Sequence, residues 1–207
     1  KKDIIIKLAK SKNEISISSL AEKNAKQSLK QKLVQSDTNN NLIEELASKF
    51  NINNNIELIE VYDNSHIQGT DSVGSLICFG NEGFVKKRYR KFNIKDEKVK
   101  NDDYGMMKEV LFRRFSKAIK EKSGSLSLPD LIMIDGGKGQ YSVSREVLNE
   151  LGLHDLPILA VAKGKRRNAG EEKIYYKSKE YILERNDPLL FFIQRPVSYT
   201  HLTLPTI

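Results

Sequence analysis

The segment from 130 to 163 constrains the fold more than any other. "DLIMID" at 130–135 and "ILAVAK" at 158–163 are short, nearly continuous apolar runs, separated by the loop "GGKGQ" and the helix-forming stretch "YSVSREVLNELG". A strand that is apolar on both faces must be covered on both faces. Two such strands joined through a helix form a right-handed crossover, which puts them parallel in a sheet interior. Upstream, "IELIEVY" (56–62), "SVGSLICF" (72–79) and "FVKKRYRKFNI" (84–94) are β-branched or aromatic runs divided by Gly and Asn, and they predict a three-stranded antiparallel meander. Meander plus crossover gives a mixed α/β sheet flanked by helices.

Helix formers fill 19–36, with Ser19 as a plausible cap, and the pattern resumes at 40–50 before the Asn-rich "NINNN" of 51–55. That cluster is the expected boundary between a helical lead-in, 1–55, and the main domain from residue 56. A further helix is expected over 101–122. Asn101 or Asp102 would cap it, Tyr104, Met107, Leu111, Phe115 and Ala118 would form its apolar stripe, and Arg113, Arg114, Lys117 and Lys120 would occupy the remainder. A hairpin is expected over 173–184, followed by a helix with Asp187 as cap and Pro188 in its first position.

Asp135 ends the first of the buried strands, and in open α/β sheets ligands bind beyond the carboxyl ends of strands. The glycines after it allow a sharp turn and close approach of a bulky substrate; a bare helix-capping role is the alternative. A P-loop is excluded, because "GGKGQ" lacks both the first glycine and the Ser/Thr of that motif. Asp63 ends the first strand of the meander. Two strand-end carboxylates in one sheet could converge on Mg2+ or Mn2+, hard ions that prefer oxygen ligands and catalyse phosphodiester hydrolysis. His66 fits either a turn or a site role, and Asp102 and Asp103 fit helix caps or ligands. Thirty-five Lys plus Arg against 27 Asp plus Glu, a net charge of +8, favours polyanionic partners. Lys87, Arg88, Arg90, Arg113, Arg114, Lys138 and Lys163 are the candidate phosphate contacts. Cys78, the only cysteine, excludes an internal disulfide and a Cys-based zinc cage, and makes a reducing cytoplasm the default location. No apolar run approaches the ~20 residues needed to span a bilayer, so no membrane partner is expected.

In order and spacing, "LAEKNAKQSLKQKL", "YDNSHIQGTDSVGSLICF", "KKRYRKFNIK", "NDDYGMMKEVLFRRF", "PDLIMIDGGKGQ" and "PILAVAKG" resemble the C-subunit family of the bacterial UvrABC excinuclease across most of the chain. The resemblance implies a ribonuclease H-like fold over 56–195 and a divalent-metal-dependent DNA endonuclease that incises on the 5′ side of a lesion in nucleotide excision repair. It implies Asp63 and Asp135 as the metal-binding carboxylates and Asp103 as a further catalytic acid. Damaged double-stranded DNA would be the substrate and the B subunit a partner, recruited through a segment outside these residues. After Gln194-Arg195 the family continues in an acidic helix with a catalytic histidine. Here "QRPVSYTHLTLPTI" lacks the acidic pair, and Pro196 is expected to interrupt the helix. Residues 196–207 are therefore expected to be a non-native tail, with His201 falling by count at the family's histidine. Without that third group the chain would be a DNA- or partner-binding fragment, and the 207 residues alone are expected to cleave weakly or not at all.

Overall fold

The computed structural model describes residues 8–52, 55–67, 71–99, 102–121, 127–164 and 172–203, and for 65–67, 71 and 201–203 only the backbone. Its centre is one mixed sheet. Strands β1 (Leu58–Ile67) and β2 (Asp71–Gly80) form an antiparallel pair, and short β3 (Gly83–Phe84) and β4 (Arg90–Asn93) both pair with β2. On the other side β1 runs parallel to β5 (Leu131–Asp135), and β5 parallel to β6 (Ile158–Ala162). The antiparallel hairpin β7 (Lys173–Tyr176) and β8 (Lys179–Ile182) completes the sheet.

Alternation along the central strands sorts their side chains into two cores. Ile59, Val61, Leu131, Met133, Leu159 and Val161 face helices α1 (Lys12–Lys49) and α4 (Pro188–Thr203). Tyr62, Ile132, Ile134, Ile158 and Ala160 face α2 (Asp103–Glu121) and α3 (Lys138–Glu150). The crossover β5–α3–β6 and the mixed sheet expected from the apolar runs are present, with helices on both faces.

Three local expectations are corrected. The lead-in is one helix rather than two. Ser11, not Ser19, caps it: its Oγ accepts from the Glu14 amide while the Glu14 carboxylate accepts from the Ser11 amide. The helix crosses the polar "SDTNNN" because buried Asn39 is held by its amide to the Asn81 carbonyl at 3.0 Å, and Ile43, Leu46 and Phe50 enter the sheet core. The expected third strand of the meander is broken. Phe84 pairs with Phe79 and Arg90 with Leu76, so six residues on one strand answer three on the other, and Lys86–Arg88 loop out as a 3-10 turn. Finally, α4 does not stop at Pro196. A proline inside a helix forfeits one hydrogen bond, but Ile193, Val197 and Thr200 on one face are buried and hold the helix to the sheet.

Cys78 packs in the α2/α3 core as expected of a small hydrophobe. Burial, with the charge of Glu60 second, pushes its thiol from the ordinary 9.0 up to about 12. The fold therefore favours the protonated thiol, and this contribution is complete below pH 9 and lost as pH rises from there toward 12. The urea midpoint should fall across that window. In Cys78→Ala the fall should be shallower relative to the variant's own neutral-pH value, and an equal fall would show that Cys78 does not contribute.

Candidate nuclease site

The sheet register brings the two carboxylates together, although Asp63 does not end its strand as expected: β1 runs on to Ile67 because its pairing with β2 continues to Asp71. Tyr62 of β1 pairs with Ile134 of parallel β5, so the next position in each strand sets Asp63 beside Asp135. Neighbouring strands lie about 4.8 Å apart. Both residues continue the series that faces α4, Ile59–Val61–Asp63 and Leu131–Met133–Asp135. Asp63 is 4% exposed. The Thr200 hydroxyl of α4 lies 3.3 Å from Asp63 Oδ2 and 2.6 Å from the Val197 carbonyl. Val161 of β6 pairs with Asp135, and two residues on, on the same side, Lys163 donates from Nζ to Asp135 Oδ2 at 3.1 Å. The result is a row of two carboxyl groups with one lysine drawn to it.

The same row extends the other way. Ser75 of β2 pairs with Asp63, and Lys91 of β4 pairs with Ser75. Lys91 is exposed, and cross-strand partners share a face, so it stands on the carboxylate side two strands away. Sequence reasoning selected Arg90 instead. The three-residue bulge is the reason: an odd insertion reverses the facing of every residue after it, turning Tyr89 toward the α1/α4 core and Phe92 toward the α2/α3 core.

The other expected site residues occupy varied positions. Asp103 is the exposed first residue of α2, and its carbonyl accepts from Asn64 Nδ2 at 3.1 Å, which ties the start of the helix to the residue after Asp63. Asp102 caps α2 through Oδ1 to the Tyr104 amide. Tyr104 lies over Gly139 so closely that a Cβ there would displace the tip of its ring. His66 and His201 lie in β1 and α4, but their side chains are outside the described residues. Among the described residues, no three His, Cys, Asp or Glu side chains form a group able to hold a metal.

Of the basic residues, Lys87 and Lys138 are exposed. Arg88 donates to the carbonyl and hydroxyl of Ser127, Arg90 to the carbonyls of Lys87 and Tyr89, and Arg113 to Asn93 and Glu109. These guanidinium groups brace loops. Arg114 is not a surface phosphate contact. Its side chain is 3% exposed and paired with Glu60, Nη2 to Oε1 at 2.6 Å, and the Tyr62 hydroxyl donates to the other Glu60 oxygen at 2.5 Å. Burial lowers the Arg114 pKa and the Glu60 charge raises it, for a net rise above the ordinary value. Burial, then the same carboxylate, raises Tyr62 well above its ordinary value.

A family model described as the UvrC RNase H endonuclease domain matches residues 47–201. The chain belongs to the UvrC family. The UvrABC system protein C of Cereibacter sphaeroides is 48% identical over 179 residues, covering 84% of this chain and 29% of that protein. That of Hyphomonas neptunium is 48% identical over 181 residues, covering 84% and 30%. The chain thus spans about a third of the length of these curated relatives. Among solved structures, Ciona intestinalis endonuclease V aligns at 12% identity over 65% of this chain and 58% of its own, with a TM-score of 0.38. The mixed sheet is thus the RNase H-like endonuclease domain of the UvrC family. No helix among its described residues is long and apolar enough to cross a membrane.

Proposed function

We propose that this domain makes the 5′-side incision in damaged duplex DNA with the help of Mg2+ or Mn2+, within a longer protein that works with the B subunit. The side-by-side placement of Asp63 and Asp135 on one face supports this reading most. The donor set fits such an ion: two neighbouring carboxylates on adjacent strands, Asp135 at the end of β5 and Asp63 midway along β1, the former already attracting an ammonium group. Mg2+ is commonly bound by one or two carboxylates while keeping several waters. When bound, the ion would activate water and neutralise charge on the attacking and leaving oxygens.

The chain's own groups would do the rest. Asp63 and Asp135 supply oxygen ligands, with Asp103 and His201 as further catalytic groups. Lys87, Lys91, Lys138 and Lys163 bind the phosphate backbone, each neutralised phosphate adding to the salt dependence of affinity. Arg88, Arg90 and Arg113 act as secondary contacts through donors not engaged by carbonyls, since a guanidinium carries five. The deciding experiment is incision of a lesion-bearing duplex by the full-length protein carrying Asp135→Asn. Loss of the 5′ cut with retained DNA binding is expected; wild-type cutting would exclude the assignment.

A further inference from the structure

We propose that Lys163 is a displaceable counter-cation of the carboxylate pair, competing with the divalent ion for Asp135 and freed toward the phosphate when the ion binds. The inference rests on the metal reading of Asp63 and Asp135.

First, the contact is specific. Lys163 Nζ lies 3.1 Å from Asp135 Oδ2, the carboxylate that shares the α4 face with Asp63. Second, the two partners differ in freedom: the Asp135 side chain is 9% exposed and that of Lys163 47% exposed. Asp135 is fixed at the end of an interior strand, while the lysine reaches it from just beyond β6 on a flexible four-carbon stem. Third, the register sets two carboxylates on adjacent strands of the same face, where like charges oppose each other unless a cation is near.

An ammonium group is well suited to this exchange. It is a compact point charge with rotatable donors rather than a planar fork, so it can leave one oxygen without disrupting a bidentate pair. In the absence of the ion it offsets the charge of Asp135. Once the ion occupies the carboxylates, the same positive charge is repelled from them, and a phosphate oxygen at the site becomes its preferred partner. One residue thereby couples metal loading to substrate binding, a role distinct from the sequence-based expectation that Lys163 contacts DNA alone.

The test is Mn2+ binding to the full-length protein by titration calorimetry, counting only the binding that an Asp63→Asn/Asp135→Asn double variant lacks. Lys163→Met should tighten that binding by roughly tenfold, because a unit positive charge at a ligand atom opposes a divalent ion. Lys163→Arg should remain close to wild type, which separates charge from packing. The same Lys163→Met protein should show a smaller gain in DNA affinity on adding Mn2+ than wild type does. Unchanged or weaker Mn2+ binding in Lys163→Met would overturn the exchange. If the double variant binds Mn2+ as wild type does, it is the metal reading itself that fails.

Discussion

Replacing Arg114 by alanine should cost about 3–5 kcal/mol of folding stability, the usual consequence of leaving a buried charge without its partner. Glu60 is 1% exposed and sits on the interior strand β1, facing the α2/α3 core. Two donors of Arg114 reach its Oε1, Nε at 3.2 Å and Nη2 at 2.6 Å, and Nη2 also donates to the Ser127 carbonyl at 2.9 Å. Alanine removes these bonds and leaves the Tyr62 hydroxyl on the Glu60 carboxylate among those described. Against total stabilities of about 5–15 kcal/mol, such a loss is a large fraction. Urea unfolding followed by circular dichroism would measure it. Arg114→Lys should fall between, since it keeps the charge and loses the forked geometry. Glu60→Leu combined with Arg114→Met and Tyr62→Phe should recover most of the loss, because the apolar set leaves neither a buried charge nor the Tyr62 hydroxyl without a partner. A cost below about 1 kcal/mol for Arg114→Ala would mean that water reaches Glu60 and that the pair is not structurally required.

The position of Arg114 was available from the sequence in a form that charge counting hides. Met107, Val110, Leu111, Phe115 and Ala118 trace the buried stripe of α2, and residue 114 lies seven after 107 and four before 118, on that stripe. A glutamate inside "IELIEVY", two before Tyr62 on the same strand face, is the matching signal. A carboxylate on a core-facing position calls for a cation from the covering helix. Reading basic residues as a surface class placed Arg114 with the DNA contacts, although helical phase places it in the core. The crossover and Asp135 were legible because they depend on local pattern: apolar runs, a glycine loop and a strand end; Asp63 was picked out by the end of an apolar run, although β1 continues four residues past it to Ile67. The Asp63–Asp135 adjacency was not legible, because it is a register between strands some seventy residues apart in sequence. The facing of Lys91 and the carboxylate partner of Lys163 were not legible for related reasons. The facing of Lys91 depends on an odd bulge, and the partner of Lys163 is decided by the β5–β6 register. Helix α4 passed Pro196 because tertiary burial outweighed a local breaker, an outcome that propensity alone cannot give.

Asp63→Asn should move stability and cleavage in opposite directions. In wild type, Asp63 is almost wholly buried beside Asp135, so the fold carries the cost of desolvating one carboxylate and of holding two on adjacent strands. Asparagine is nearly the same shape, can still accept from the Thr200 hydroxyl, and removes both penalties. In the presence of a chelator the variant should gain about 1 kcal/mol, which corresponds to about 2–4 °C in melting temperature for a domain of this size. Asp135→Asn should gain less, because it also forfeits the 3.1 Å ion pair with Lys163. Cleavage should fall about a thousandfold in either variant, the kinetic equivalent of about 4 kcal/mol of lost transition-state stabilisation by a metal site deprived of one ligand. Adding Mn2+ should reverse the stability order. Wild type gains by mass action with the ion, and the variants do not. The reversal excludes a trivial explanation, since damage to the fold would lower both quantities with and without the ion. Chelator-treated Asp63→Asn melting below wild type would instead make Asp63 a structural acceptor for α4, and the cost attributed here to the paired carboxylates would be wrong.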